Sequence, residues 1–445
     1  MDESRKVRPT TRSLYLRKVA AALCLLGPLA ASAQISLSTA VDFAEKHSAA
    51  VRSAKAEVDR AAAALSQTKD AYYPTVVLGS SVGPPPYGFP LGNPDIYDVN
   101  ADSLVFSFSQ PDYVRAARSG VHSATLSLKD TQRQVALDVA LAYVELDEDL
   151  KEIAGLKEEN GYAETLVQFE KDRVQAGVDP RISELQAELT AAQVNQKRVS
   201  IEDDADLMRQ KLGNLTGLPD TNLKTDSASI PPLPSLSDES NDQRMASDNP
   251  GIAAAYALAQ SKLYTAFGDE RQNLRPSVGF GLKYQRFAKF QNFELYYRQF
   301  QQNNISAGVQ MTIPLFDRSL NAKARQTAAE AARARADADA SLDVLREQTF
   351  TLRGNVRELA AQQRVTQVQS QIAQEQLKSI ETQLTSGTGL PNAPGVPPTQ
   401  SQKAHIQERQ YYSEMIEADL ALMKVELNLM KMTGQIDDWV SSSLH

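Results

Sequence analysis

One cysteine and four histidines are scattered through 445 residues. Cys24 lies in an apolar stretch near the start, and His47, His122, His405 and His445 are isolated from one another. A disulfide framework is therefore excluded, and no His/Cys group has metal-ligand spacing. No Gly-rich phosphate loop follows a strand pattern. No apolar run approaches the ~20 residues of a spanning helix. Excess positive charge is missing too: 47 Lys and Arg stand against 55 Asp and Glu, net −8, which argues against a nucleic-acid partner. The run Glu145, Asp147, Glu148, Asp149 reads as a solvated helix face or lumen lining rather than paired catalytic carboxylates. His405 with Glu408 reads as a solvated surface pair. Neither an enzyme nor a cofactor or metal site is expected.

What is present begins with residues 1–33. Arg5, Lys6, Arg8, Arg12, Arg17 and Lys18 precede the apolar stretch Val19 to Ala30, and Ala31-Ser32-Ala33 offers a small-residue cleavage site. This predicts a bacterial secretory signal peptide, with a mature chain from Gln34. Leu23 before Cys24 argues against a lipid-anchoring cysteine. The mature chain has no cysteine, so its stability must come from packing or oligomerisation.

The rest reads as two copies of one pattern: helix, strand pair, very long helix, tight break, second helix. The first copy is placed at 34–220 and the second at 247–435. Between them a linker, 221–246, holds the Pro/Ser/Asp-rich stretch Thr225 to Gln243 and has no core of its own; a C-terminal tail follows at 436–445. AYYPTVVLG from Ala71 answers NLRPSVGFG from Asn273, and KLGNLTG from Lys211 answers NLMKMTG from Asn428.

The helical stretches carry a heptad repeat: Ala44, Val51, Val58, Leu65 and Tyr72, then Leu128, Val135, Ala142 and Leu156, with Asp149 breaking the row. Leu342, Leu345, Thr349, Leu352, Val356 and Leu359 alternate three and four. That is coiled-coil spacing. Helices are predicted over 112–175 and 318–386, about 96 and 104 Å long, with shorter ones over 38–71 and 181–214 at about 51 Å each. Two short helices laid end to end match one long one, which predicts a slender antiparallel body about 100 Å long.

Four segments alternate with period two. Val278, Phe280, Leu282 and Tyr284 alternate with Gly279, Gly281, Lys283 and Gln285. Ile305, Ala307, Val309, Met311 and Ile313 alternate with Ser306, Gly308, Gln310 and Thr312. Leu104, Phe106 and Phe108 form one face of a third segment, and Val76, Leu78 and Val82 a weaker fourth. One apolar and one small polar face over ~9–11 residues is the pattern of a transmembrane barrel strand. Aromatics gather in the expected loops, Tyr87, Phe89 and Tyr97 after the first strand and Phe287, Phe290, Phe293, Tyr296, Tyr297 and Phe300 after the third, as at a membrane interface. Four strands cannot close a barrel, and unpaired edges cannot face lipid, so chains must combine. Two chains give eight strands with a filled interior; three give twelve, which can leave a lumen.

These residues resemble the TolC-like outer-membrane efflux protein family over essentially the whole mature chain. The marks are the opening from Ile35 to Val76, the IPLFDRS turn at Ile313 to Ser319, the VQAGVDPRISELQAEL break at Val174 to Leu189, and LGNLTG at Leu212 to Gly217. The resemblance implies a mainly α fold with a small β part: a periplasmic α-barrel of coiled-coil helices, and four transmembrane strands per protomer in a twelve-stranded trimeric barrel. It implies a homotrimeric passive exit duct in the outer membrane of a Gram-negative-type bacterium. Its partners would be outer-membrane lipid, a periplasmic adaptor, and an inner-membrane pump or secretion ATPase. The alternative is a periplasmic coiled-coil adaptor or structural protein. The lipid-facing set is expected to be Leu104, Phe106, Phe108, Val278, Phe280, Leu282, Ile305, Val309 and Met311.

By the same resemblance, the two breaks are tips that contact the adaptor and form the entrance. The first centres on Gly177, Val178 and Asp179. The second centres on Gly387, Thr388 and Gly389 and carries about seven extra, Pro-rich residues. Ser183 and Gln400 fall where the family often has Asp, with Glu184 and Glu188 after the first tip and Lys403 after the second. A ring of acid at the entrance could come only from Glu184 or Glu188, partly cancelled by Lys403, which predicts weak cation selectivity.

Overall fold

The computed structural model describes residues 34–81, 95–219, 223–234, 249–287, 303–386 and 397–442. The expected signal peptide, the second tip residues Gly387, Thr388 and Gly389, and most of the loop aromatics lie outside them. In chain order the elements are β1 (Gln34–Ile35), α1 (Leu37–His47), α2 (Ala49–Asp70), β2 (Thr75–Ser81), β3 (Asp95–Ser107), α3 (Gln110–Gln175), α4 (Arg181–Thr216) and β4 (Lys224–Thr225). Then come α5 (Pro250–Gln272), β5 (Ser277–Phe287), β6 (Asn303–Thr312), α6 (Arg318–Ser386), α7 (Pro398–Thr433) and α8 (Ile436–Ser442).

The two long helices are present, the second at its expected bounds and the first two residues longer at its start, at 69 and 66 residues, or about 104 and 99 Å. Pro111 sits in the first turn of α3, where its missing N–H costs nothing. Pro314 instead precedes α6 by several residues, and Asp317 caps that helix, accepting from the Ser319 N–H at 2.8 Å. α4 and α7 both end at a left-handed glycine, Gly217 at φ 75° and Gly434 at φ 79°. The shared cap makes the duplication visible in the backbone, since only Gly adopts this conformation without strain.

The packing repeats as well. α3 packs against α2 and α4 of its own repeat and against α5 and α7 of the other; α6 packs on α5 and α7. The main core lies around the middle of α3, where Val135, Val139, Tyr143 and Leu146 meet Leu37, Ala44 and Val51 and, from the far end of the chain, Leu427 and Met430. Just below the sheet, Asp112 and Asp269 are buried. Asp112 binds Arg271 at 2.5 Å, and Asp269 takes the Tyr113 hydroxyl at 2.6 Å and Lys323 at 2.9 Å. These ties hold the upper ends of α3, α5 and α6 together.

Four readings of the sequence need correction here. The helix expected over 38–71 is broken at Ser48, whose ψ of 133° is not helical. The piece before the break, α1, buries Leu37, Ala40, Val41 and Ala44 against α3 and α4, a docking that a straight helix would miss. The described part of the linker, 223–234, is built into the core rather than loose. Leu223 and Thr225 are buried, β4 pairs in parallel with β1, and the Tyr143 hydroxyl accepts from the Asp226 N–H at 2.7 Å. The C-terminal tail contains α8, with Ile436, Trp439 and Val440 buried. The acidic run is not solvated: Asp147, Glu148 and Asp149 are 2%, 9% and 6% exposed. Asp147 receives Thr225, Ser227 and Lys151, and Glu148 receives Lys151, so the burial is compensated for these two.

Candidate functional site

The larger sheet has the order β2-β3-β5-β6, antiparallel throughout. Directly opposed residues share a face, so register decides which side chains stand together. Leu78 opposes Val99, and Val76 opposes Ala101. Val99 opposes Tyr284, Ala101 opposes Leu282, and Ser103 opposes Phe280. Tyr284, Leu282, Phe280 and Val278 in turn oppose Ile305, Ala307, Val309 and Met311. One face is thus apolar on all four strands, with Ser103 its one polar residue among these pairs. It is also bare: Leu78, Val309 and Met311 are 72%, 70% and 63% exposed. A bare apolar surface of this extent marks a binding or membrane surface.

The opposite face carries Asp98, Asn100 and Asp102 of β3 beside Gly79, Gly279, Gly281, Lys283, Gly308 and Gln310. A Cβ at Gly79 would lie 2.5 Å from Asp98 Oδ1, so a larger residue there would turn the Asp98 side chain aside. Asn100 Nδ2 donates to Asp98 Oδ2 at 2.6 Å. Sequence reading missed this half of β3, and with it Asp98 and Asp102, because Asp95 to Asp102 reads as turn chemistry. The alternation of Val99 and Ala101 with Asp98, Asn100 and Asp102 was the signal available. Tyr97, expected in a loop, is within β3 and lies beside the Arg286 guanidinium, 6.0 Å from its ring centre, and Phe287 closes β5.

Of the residues expected to face lipid, Phe106, Val278, Phe280, Leu282, Ile305, Val309 and Met311 share one face of the sheet, and Leu104 does not. A bulge between Leu104 and Phe106 leaves Phe106 opposite Val278 but Leu104 opposite Gly279. Leu104 therefore stands on the polar face, because the extra residue, Val105, reverses the alternation. Phe108 lies past the end of β3. It packs edge-on against Phe106 at 4.9 Å, with the Arg275 guanidinium 5.4 Å from its ring centre. Both edge strands, β2 and β6, lack an outer partner among the described residues, so the sheet is open and four strands close no barrel.

At the other end, α3 and α4 turn back through Gly177, at φ 70°. The Arg173 guanidinium holds the Asp179 carboxylate in a close ion pair across this turn. That hydrogen bond keeps the Asp179 carboxyl below the usual carboxylate range. Val178 stands 61% exposed at the apex. Ser183 and Lys403 come together, lining a cleft of about 490 Å³ between α4 and α7 with Gln186, Gln410, Tyr411 and Glu414. Gln400 is exposed on the first turn of α7. Glu184 is half-buried, Glu188 is exposed, and neither has a cationic partner among the described residues. Lys403 does not answer them. Its ammonium lies 3.1 Å from Glu170 Oε1, a carboxylate buried on α3. His405 likewise leaves Glu408 alone; it stacks on Tyr162 at 4.3 Å and reaches Glu381 at 3.4 Å. No group of three or more His, Cys, Asp or Glu among the described residues could hold a metal ion.

No protein-family model and no curated protein sequence matches the chain. Solved structures do. The outer membrane protein VceC from Vibrio cholerae is 18% identical, with 89% of this chain and 96% of that chain covered, at a TM-score of 0.69. The CmeC outer membrane channel of Campylobacter jejuni is 13% identical over 92% of this chain and 89% of that one, at 0.72. The open state of the MtrE outer membrane channel of Neisseria gonorrhoeae is 14% identical over 90% and 89%, at 0.69. At such identities the likeness establishes the fold: this chain is built as those channels are.

Proposed function

We propose that this chain, which carries the fold of the TolC-like outer-membrane channels, is one protomer of a homotrimeric exit duct for efflux or secretion. Four strands from each of three copies form a twelve-stranded barrel through the outer membrane, and the helical body extends into the periplasm. The duct is passive: the cargo is driven by an inner-membrane pump or secretion ATPase and handed over through a periplasmic adaptor at the tips. No cofactor and no catalytic residue takes part.

The observation that carries this reading is the open sheet, apolar on one face across every strand and polar on the other. Such a sheet is stable in lipid only when its edges are paired by further copies. The helical body supports the same assembly. α3 packs on α2, α4, α5 and α7, whereas its counterpart in the second repeat, α6, packs on α5 and α7 alone among the helices of the described residues. α6 also leaves Val344, Phe350, Val365 and Ile372 exposed. Placing the α2 and α4 of a second copy there reproduces the contact that α5 and α7 make with α3. Exposed Leu185, Leu189 and Leu207 on α4 give that contact apolar residues of its own.

The test is mass measurement of the detergent-extracted protein, with its migration on a denaturing gel before and after heating. A trimer that shifts on heating, recovered from the outer-membrane fraction and conducting ions in a planar bilayer, is the expected result. A stable monomer recovered without detergent overturns the assignment and favours the periplasmic adaptor reading.

A further inference from the structure

The middle of α3 carries a buried polar seam that neither the sheet nor the tips employ. Glu145, Glu152 and Glu159 recur every seven residues on α3; Lys424, Glu417 and Gln410 recur every seven on the antiparallel α7. Glu145 Oε1 lies 2.7 Å from Lys424 Nζ. Glu152 accepts from the Ser413 hydroxyl and lies 3.0 Å from Lys197 Nζ of α4, which also reaches Glu417 at 2.7 Å. Glu159 is bonded to Gln410. These rungs link α3, α4 and α7.

Asp149 stands between the first two rungs, in the row that Val135, Ala142 and Leu156 keep apolar. It is 6% exposed, and its Oδ2 has no hydrogen-bond partner. The charged groups facing it are Glu145 and Glu152 of its own helix, Asp204 of α4 and Lys424 of α7. Lys424, the one cation, is already engaged by Glu145, and Lys197 by Glu152 and Glu417. Asp147 and Glu148 of the same turn are answered by Lys151. Among the described residues, Asp149 is thus the acid of this stretch with no cation of its own. A carboxyl in a dry site among like charges is accommodated as the neutral acid and resisted as the anion.

We propose that Asp149 makes the α3–α4–α7 joint responsive to pH: the three helices pack closely while its carboxyl holds a proton and loosen locally when it ionises. Burial first, then Glu145, Asp204 and Glu152, push this carboxyl up to about 7, so the change falls near neutrality. The folded chain keeps a proton that an unfolded chain releases at a lower pH. The packing contribution is therefore full in acid and is lost as pH rises toward about 7. Burial raises Glu159 in the same direction. Because α3 and α4 form the first tip hairpin and α7 carries Lys403, this joint governs how firmly the hairpin is held to α7. The consequence for a periplasmic duct, whose pH follows the medium outside the cell, rests on the reading above; the joint itself does not.

The test is hydrogen exchange on the assembled full chain in detergent, corrected for intrinsic exchange, at about pH 6 and about pH 8, one unit on either side of the transition. Protection in 142–156 and 201–208 is expected to fall by about tenfold at the higher pH in the wild type. Asp149→Asn, which keeps the shape without the charge, is expected to hold its protection at both. Glu145→Gln, which frees Lys424 for Asp149, is expected to move the transition to lower pH. Wild-type protection that does not change, an equal fall in Asp149→Asn, or an unmoved transition in Glu145→Gln overturns the proposal. The mass of the same samples reports separately on whether the chain is a trimer.

Discussion

Phe280 and Leu104 are near neighbours on adjacent strands, and the register places them on opposite faces. Replacing each in turn with Arg puts the sheet assignment at risk. β5 runs for 11 residues from Ser277 to Phe287, about 36 Å of strand at ~3.3 Å per residue. Tilted by ~45°, that spans about 25 Å, the height of the apolar band of an outer-membrane barrel. Leu282 is at its middle, and Phe280 is two residues away, about 5 Å in depth at that tilt. Arg at Phe280 should therefore cost close to the midplane value, ~2–4 kcal/mol, a loss of 30-fold or more in assembled protein at equilibrium. Phe106 opposes Val278, nearer the end of the strand that joins the helical body, so Arg there should cost ~0–1 kcal/mol. Arg at Leu104 should leave assembly close to wild type, because the bulge puts this side chain on the polar face of the sheet. The assay is the heat-modifiable trimer band in outer-membrane fractions, normalised to total protein. Equal loss for Leu104→Arg and Phe280→Arg refutes the face assignment. Loss for Leu104→Arg alone inverts it.

Lys403→Glu removes the cation from buried Glu170 and adds a like charge beside it, while Lys403→Gln removes the cation only. Because Lys403 is largely exposed, solvent screening limits the cost to ~1–3 kcal/mol for Gln, with more for Glu; thermal melting of the solubilised protein, ranked wild type, Gln, Glu, checks the order. A bilayer selectivity change without a stability change would mean that Lys403 faces the entrance instead. Tyr143→Phe leaves the Asp226 N–H and the Ile35 carbonyl, now bonded at 2.7 and 2.6 Å, without their shared hydroxyl, at a cost of ~1–3 kcal/mol. Limited proteolysis should then cut first in 223–234, and unchanged cleavage there would show that the segment is held by Leu223 and Thr225 alone.

What could be read from the chain itself was whatever repeats over short distances. A period of seven and a period of two are local, so the two long helices, the alternating strands and the duplicated Gly217 and Gly434 ends were legible without any partner in view. Pairings between distant residues were not. Lys403 meets Glu170 across 233 positions; nothing in the neighbourhood of either residue indicates the other, and the entrance reading paired Lys403 with the wrong acids. Leu104 obeys the alternation of its own strand and still changes face, because a bulge is a property of two strands in register. Asp149 and Glu170 look like surface acids on a polar helix until α4 and α7 are laid over them. Tertiary structure decided these points because burial and charge compensation depend on which helix covers which face, and that choice is made by the whole assembly of contacts rather than by any one segment.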